Sequence, residues 1–123
     1  MFLKLNHQKL EIYNASKNFV LECYKLTGSL PNEEKFGMIT QIRRAALSVH
    51  LNIAESSSRK SESERKRYYE IARGSVIEID AALDVANDLG YLRKVDLFKL
   101  GDTMTNCFKM LSGLINSHVK SPD

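Results

Sequence analysis

The stretch ITQIRRAALSVHLNI, residues 39–53, decides the fold. Its apolar side chains recur at alternating intervals of three and four residues, the spacing typical of a helix packed at a shallow angle against other helices. The predicted seam is Ile39, Ile42, Ala46, Val49 and Ile53. The opposite side of the helix carries a polar stripe of Gln41, Arg44, Ser48, Asn52 and Glu55. The stretch therefore predicts an amphipathic helix that must be covered by further helices.

Three more helices are predicted around this one. A first helix extends from about Gln8 to Thr27, and Gly28 follows it at the position of a left-handed cap. Ser61 and Glu64 match a capping box, so a third helix is expected to begin there and to end at Gly90. A fourth helix follows after a short connector. The third and fourth helices are each expected to span roughly 27 residues, or about 40 Å.

The third helix is expected to bury a row of mostly small side chains, which would let a neighbouring backbone approach closely. This row is Tyr68, Ala72, Ser75, Ile79, Ala82, Ala86 and Leu89. A second apolar row beside it contains Tyr69, Val76 and Leu83. A bundle of this size need not hide both rows, so the surplus apolar surface suggests self-association, and a wider core in a monomer is the alternative.

The composition agrees with a single all-α domain covering residues 1–123. Two prolines and six glycines leave too few turn signals for an all-β sandwich or barrel. Four helices with short connectors predict an up-down-up-down antiparallel four-helix bundle. No stretch approaches the roughly 20 apolar residues of a membrane span, and a cytoplasmic location is expected. Cys23 and Cys107 lie inside apolar patterns and are interpreted as reduced core thiols, with a disulfide as the minor alternative.

Several motifs together resemble a known family. They are Ile42-Arg43-Arg44-Ala45-Ala46, Ser48, Asn52-Ile53-Ala54-Glu55, Ala72, Gly74-Ser75 and Glu78. They resemble the bacterial four-helix bundle family named for the 23S rRNA intervening sequence protein, over roughly residues 20 to 117. The resemblance implies a left-handed antiparallel bundle, five-membered rings and no known catalytic activity. Relatives include the accessory variability protein of diversity-generating retroelements, a basic pentameric barrel thought to engage nucleic acid and a reverse transcriptase.

Two positions depart from the pattern of that family. This chain has Ser56 where the family usually has glycine, and His50 where many members have proline. The end of the second helix is therefore expected to be capped differently, and the helix to be less kinked.

Arg43 and Arg44 have two interpretations. If the turn between the second and third helices lies near residue 60, antiparallel pairing places Arg44 opposite Glu78, where a guanidinium can bind a carboxylate through two hydrogen bonds. The same register places Glu55 near Arg65 and Asn52 near Tyr68. The alternative is that the two arginines bind nucleic acid.

The third helix is electrically polarised. Residues 59 to 67 carry five bases, Arg59, Lys60, Arg65, Lys66 and Arg67, against two acids, Glu62 and Glu64. Acidic residues follow toward its end, namely Glu78, Asp80, Asp84 and Asp88. This order opposes what the helix dipole favours, so intrinsic helix stability does not explain it. In a ring of copies the basic ends would align, and we expect them to bind the phosphates of RNA or DNA without reading base sequence. A merely solvated end is the alternative, and Arg43, Arg44 and Arg73 are the next candidates for a ligand site.

Catalysis is not expected. The sequence lacks a Glu-x-x-His di-iron motif, a His-Glu-x-x-His motif, a Gly-x-Gly-x-x-Gly motif and a phosphate-binding loop. We therefore expect no catalytic residues, no cofactor and no bound metal. The remaining alternative to nucleic-acid binding is an oligomeric scaffold, accessory to a partner protein such as a reverse transcriptase.

The oligomer is directly testable. Light scattering on a sizing column should give the mass of a homo-oligomer, and the resemblance sets the number at five chains. The surplus apolar rows are the physical reason, because they need cover from a second copy. A mass of one chain at micromolar concentration would rule out the ring and the alignment of basic ends that depends on it.

Overall fold

A computed structural model describes residues 1–5 and 10–119, with side chains described as far as Ser117. This part of the chain folds into four α-helices and one short 3₁₀ turn, at Asn32–Glu34. The helices are α1 (Glu11–Thr27), α2 (Met38–Ser56), α3 (Glu62–Asp88) and α4 (Phe98–Val119). The predicted all-α class is confirmed, and α3 has the expected 27 residues. The predicted start of the first helix at Gln8 lies outside the described residues.

The helices occupy the four corners of a square. Each helix packs mainly against two others, in the cyclic order α1, α2, α3, α4 and back to α1. Short connectors join successive helices, so neighbours run antiparallel, consistent with the up-down-up-down arrangement. No helix in residues 1–5 and 10–119 is long and apolar enough to span a bilayer.

The core lies between all four helices, and the seam of α2 was predicted correctly. Ile42, Ala46, Val49 and Ile53 are at most 1% exposed, while Ile39 is half-buried at the core margin. α1 contributes Phe19 and other buried side chains, and α4 contributes Leu100, Cys107, Leu111 and Ile115.

The core face of α3 differs from the prediction. Tyr69 and Val76, assigned to a surplus row, are buried, whereas Tyr68 and Ser75 are only half-buried and Leu89 is 54% exposed. The physical reason is that a straight helix of 3.6 residues per turn drifts by about 20° per heptad, so no single seven-residue row faces the core over 27 residues. The buried face combines both rows.

α3 begins and ends where the sequence predicts. The backbone N–H of Glu64 donates to Ser61 Oγ at 3.2 Å, which confirms the predicted N-terminal cap. At the other end Gly90 has φ +80°, its N–H donates to the Asn87 carbonyl, and the Tyr91 N–H donates to the Ala86 carbonyl, both at 3.0 Å. This pair of bonds is a Schellman motif, which requires a left-handed residue and therefore favours glycine.

The left-handed cap predicted at Gly28 is wrong. Gly28 has φ −63° and ψ −20°, so it continues the right-handed turn beyond α1. Ser29 and Leu30 then donate to the carbonyls of Leu26 and Thr27, at 2.8 and 3.2 Å. This continuation carries the Leu30 side chain into the core, where it is 6% exposed.

α2 ends on serine side chains. Ser56 is 1% exposed, and its hydroxyl donates to the Ile53 carbonyl at 2.6 Å. Ser57 and Ser58 donate in the same way to the carbonyls of Ala54 and Glu55, each at 2.8 Å. Three serine hydroxyls therefore bond to carbonyls in the last turn of α2, and the Glu55 carbonyl also accepts from the backbone N–H of Ser58 at 3.1 Å.

The two cysteines are free thiols in the core. Cys23 and Cys107 are both fully buried, and burial raises the pKa of each thiol to about 12. They are therefore neutral at physiological pH and unreactive as nucleophiles.

Replacing Gly90 with alanine should destabilise the fold by about 1 to 2 kcal/mol, because an L-residue is strained at positive φ. The added Cβ would also lie 3.2 Å from the Arg93 side chain. Gly113→Ala is the matched control, since nothing lies within 4 Å of its added Cβ, and it should gain about 0.5 to 1 kcal/mol. Urea unfolding measures both, and equal effects of the two substitutions would contradict the cap assignment.

Candidate nucleic-acid interface

The basic residues of the α2–α3 turn lie together at one end of the bundle, which we call the basic end. It consists of Arg59, Lys60, Arg65, Lys66 and Arg67. The N-terminus of α1 and the C-terminus of α4 share this end of the bundle, because neighbouring helices alternate in direction. The acidic residues of α3 lie toward the opposite end.

Arg59 is engaged within the chain. Its guanidinium lies over the Tyr68 ring, 4.9 Å from the centroid, and its Nη2 is 2.5 Å from Glu55 Oε1. The predicted pairing of Glu55 with Arg65 is therefore wrong, because Arg59 lies one helical turn beyond Glu55 and reaches it first. Arg59 stabilises the turn and is not free to bind a ligand with its full guanidinium.

Arg65 closes the same turn. Its Nη1 donates to the carbonyl of Arg59 at 2.9 Å and to the carbonyl of Lys60 at 3.1 Å. Carbonyls in a turn after a helix lack helical partners, so a guanidinium folded back onto them satisfies them.

Three cations of the basic end are left for a ligand. Lys60 and Arg67 are exposed, Lys66 is half-buried, and none of them forms an ion pair with a carboxylate of the described residues. These three side chains are the residues of the basic end that can bind phosphate without first breaking a contact of the fold.

Arg43 is a structural residue. Its Nε donates to Thr27 Oγ1 at 2.7 Å, its Nη2 is 3.5 Å from the Tyr24 carbonyl, and its guanidinium lies 4.7 Å from the Tyr24 ring centroid. These contacts tie α2 to the C-terminus of α1, where carbonyls and the helix dipole favour a cation.

The predicted ion pair between Arg44 and Glu78 is not formed within the chain. Glu78 instead accepts a hydrogen bond from Gln41 Nε2. Three residues along a helix correspond to a rotation of about 300°, so Arg44 lies about 60° further round than Gln41. Arg44 is exposed, and no carboxylate in the described part of the chain lies within 4.0 Å of it.

Asn52 also has a different partner from the predicted one. Its Nδ2 donates to the carbonyl and the hydroxyl of Ser48, at 2.8 and 3.1 Å, and not to Tyr68. Ser75 Oγ in turn donates to Ser48 Oγ at 3.1 Å. These two serines thus form a polar link between α2 and α3 in addition to that of Gln41 with Glu78. This bond was not indicated by the sequence, because Ser48 was placed in the polar stripe opposite the seam.

Arg73 bridges two helices. It is half-buried, and its Nη1 donates to Ser112 Oγ on α4 at 3.3 Å. This contact uses one of its five N–H donors, so part of the guanidinium can still contact a ligand.

A polar cluster between α1 and α2 was not predicted from the sequence. The fully buried Ser16 hydroxyl donates to the Tyr13 carbonyl at 2.9 Å and lies 2.7 Å from His50 Nδ1. A hydroxyl has one proton, so the tautomer of His50 decides which of these two atoms donates. His50 also lies against the Tyr13 ring, with centroids 4.5 Å apart. The only signal was the histidine at a position where relatives have proline.

Comparison with known proteins identifies a family and a solved structure with the same fold. The family model described as 23S rRNA-intervening sequence protein matches residues 8–113. A crystal structure of a protein of unknown function from the S23 ribosomal protein family, from Bacteroides thetaiotaomicron, has the same fold with a TM-score of 0.76. Its sequence is 24% identical, and the alignment covers 85% of this chain and 95% of that chain. No curated protein matches this chain.

The neighbouring arginines of α2 should behave differently on substitution. Arg43→Ala should lower the free energy of unfolding by about 1 to 3 kcal/mol, because it leaves Thr27 and the end of α1 without a donor. Arg44→Ala is the matched control, and in a dissociated single chain it should change stability by less than about 0.5 kcal/mol. Denaturant unfolding at low protein concentration measures both. A double-mutant cycle with Glu78→Ala that showed coupling to Arg44 in the single chain would contradict this assignment.

Proposed function

We propose that this chain, which belongs to the 23S rRNA-intervening sequence protein family, is a non-enzymatic homo-oligomer that binds RNA or DNA through its basic end. The observation that carries the proposal is the group of three cations at the α2–α3 turn that form no ion pair with a described carboxylate, Lys60, Lys66 and Arg67. We further propose five chains per oligomer, from the family resemblance.

The charge distribution of α3 supports an anionic ligand. The first turn of α3 carries Glu62 and Glu64, as the helix dipole favours, but Arg65, Lys66 and Arg67 follow directly, and acids near the C-terminus of a helix oppose the dipole by a few tenths of a kcal/mol each. A helix selected only for stability would have the reverse order. In a closed ring every copy has the same orientation, so the basic ends form one positive surface that the net charge of +3 per chain does not reveal.

The aromatic residues near the basic end support binding through phosphates. Recognition of single-stranded bases uses exposed aromatic rings on which the bases stack. Tyr69 is 6% exposed, and the Tyr68 ring is covered by the Arg59 guanidinium. No stacking platform is therefore offered by these two tyrosines, so we expect similar affinity for different base sequences.

An oligomeric scaffold for a partner protein, such as a reverse transcriptase, is the second proposal. It is favoured by apolar side chains that stand exposed outside the helices, among them Phe2 at 86% and Phe36 at 89%. Exposed aromatic side chains are typical anchors of protein interfaces. For either function we propose a cytoplasmic location, which agrees with the two free cysteines.

Salt dependence tests the nucleic-acid proposal. If each chain neutralises about three phosphates of a duplex, the slope of log affinity against log salt should be near −3 per chain. Replacing Lys60, Lys66 and Arg67 together by glutamine should flatten that slope and weaken binding to all sequences alike. Fluorescence anisotropy with duplex RNA, duplex DNA and single strands over a salt series gives these values.

A matched control removes the same charge from the other end of the bundle. Lys35, Lys94 and Lys99 are exposed there, and replacing them by glutamine should leave the slope unchanged. Equal losses in the two triple variants would mean that net charge, not the basic end, drives binding. Absence of binding to RNA and DNA at low salt would reject the proposal and favour the scaffold.

A further inference from the structure

The outward side of α3 is apolar in its middle and charged at both ends. We call it the outer face of α3 and define it by Arg67, Ile71, Gly74, Ile77 and Glu78. Ile71 and Ile77 are 42% and 54% exposed, although each is a large apolar side chain. The two charged residues are exposed at either end of the apolar middle.

Gly74, at the centre of this face, is not explained by the fold of one chain. A Cβ at this position would have no atom within 4 Å, and φ is not in the left-handed region. A glycine within a helix costs roughly 0.5 to 1 kcal/mol relative to alanine, so an alanine here would make a more stable monomer. A glycine flanked by two exposed isoleucines is instead suited to the close approach of another helix.

The outward side of α2 has a matching pattern. We call it the outer face of α2 and define it by Arg44, Leu47, Leu51 and Glu55. Leu47 and Leu51 are 41% and 58% exposed, and Arg44 has no carboxylate partner among the described residues. This face also has an apolar middle between two charges, but the positive charge stands at the opposite end of the bundle from Arg67.

The contacts between α2 and α3 fix the height of each of these residues along the bundle. Gln41 bonds to Glu78, Ser48 bonds to Ser75, and Arg59 stacks on Tyr68. Arg44 is therefore near the level of Glu78, and Leu51 is near the level of Ile71. By the same register Glu55 is near the level of Arg67.

We infer that the outer face of α2 in one copy docks on the outer face of α3 in the next copy. In a ring all copies share one orientation, so residues at the same height meet. Arg44 then meets the partner subunit's Glu78. Glu55, which also binds Arg59 of its own chain, meets the partner subunit's Arg67, and the five N–H donors of a guanidinium leave some for a phosphate. Between these charges Leu47 and Leu51 cover the partner subunit's Gly74 and its isoleucines. The inference rests on the proposed homo-oligomer and identifies which surfaces build it.

The position of the two faces suits a small closed ring. α2 and α3 occupy adjacent corners of the bundle, so their outward directions differ by roughly 90°. Two contact faces at about 90 to 110° to each other return to the first copy after four or five subunits. A two-fold contact between α3 helices would also match basic with acidic ends, but it would leave Arg44, Leu47 and Leu51 uncovered.

Two complementary variants test the inference. The first, Leu47→Glu with Leu51→Glu, blocks only the outer face of α2. The second, Gly74→Glu with Ile77→Glu, blocks only the outer face of α3. All four positions are exposed, so folding should be retained, and circular dichroism checks this. Light scattering should give each variant alone the mass of one chain, because every contact of the ring needs both faces.

Mixing the two variants should give a dimer with one chain of each kind and nothing larger. Its single contact joins the intact α2 face of the second variant to the intact α3 face of the first. As a control, Leu21→Glu with Phe98→Glu removes exposed apolar side chains elsewhere, at 54% and 77% exposure, and should retain the wild-type mass.

Four results would overturn the inference. Either variant retaining the wild-type mass would place the interface elsewhere, and dimers of the first variant alone would indicate a two-fold contact between α3 helices. An equimolar mixture that stays monomeric would exclude the pairing of these two faces. A monomeric wild-type protein would reject the proposed homo-oligomer together with this interface, whereas the first three results would leave that proposal standing.

Discussion

The close packing of α2 against α3 determines where every other group of the bundle lies. Ala46 and Ala72 are fully buried and Ala45 is 4% exposed, so small side chains separate parts of these two helices. Small side chains allow short interaxial distances, and this is what brings the hydroxyls of Ser48 and Ser75 within 3.1 Å. The hydrogen bond fixes the register, since a shift by one helical turn would move each serine about 5.4 Å from its partner.

This register also decides which basic residues stabilise the turn and which remain available to a ligand. At the turn between α2 and α3, Arg59 stacks on Tyr68 while Arg65 folds back onto the turn carbonyls. Both arginines therefore stabilise the short connection between the two antiparallel helices. The lysines and Arg67 have no such task, and their charges stay available. Some cations of the turn stabilise the fold, and only the others are available to bind an anionic ligand. The number of basic residues in such a segment therefore overestimates how many can contact a ligand.

Features set by local rules were predictable from the sequence. The seam of α2, the cap at Ser61 and the end of α3 at Gly90 each depend on residues a few positions apart, and all three were identified. The left-handed conformation itself was predicted at Gly28 and occurs instead at Gly90. The core face of α3 was predicted wrongly because side chains seven residues apart do not lie exactly above one another. Over a long helix such a row of residues turns gradually away from the core. The predicted partner of Arg44, Glu78, was wrong for a related reason. A rotation of about 60° between Gln41 and Arg44 decides which side chain reaches Glu78, and only the packed bundle fixes that angle.

The polarity of α3 has to be reconciled with assembly, because aligned basic ends repel one another. That repulsion is screened by salt with a Debye length of about 8 Å at physiological ionic strength, but it does not vanish between neighbouring copies. Association must therefore be driven by the exposed apolar residues in the middle of the bundle. Charge pairs at an interface contribute more to orientation and specificity than to affinity. In the proposed contact the pairs at the two ends have opposite polarity, so an inverted neighbour would bring like charges together. The charge distribution of α3 then lowers the stability of a single chain. In the proposed contact it also favours neighbours of the same orientation, so that the basic ends of all copies lie on one side of the ring.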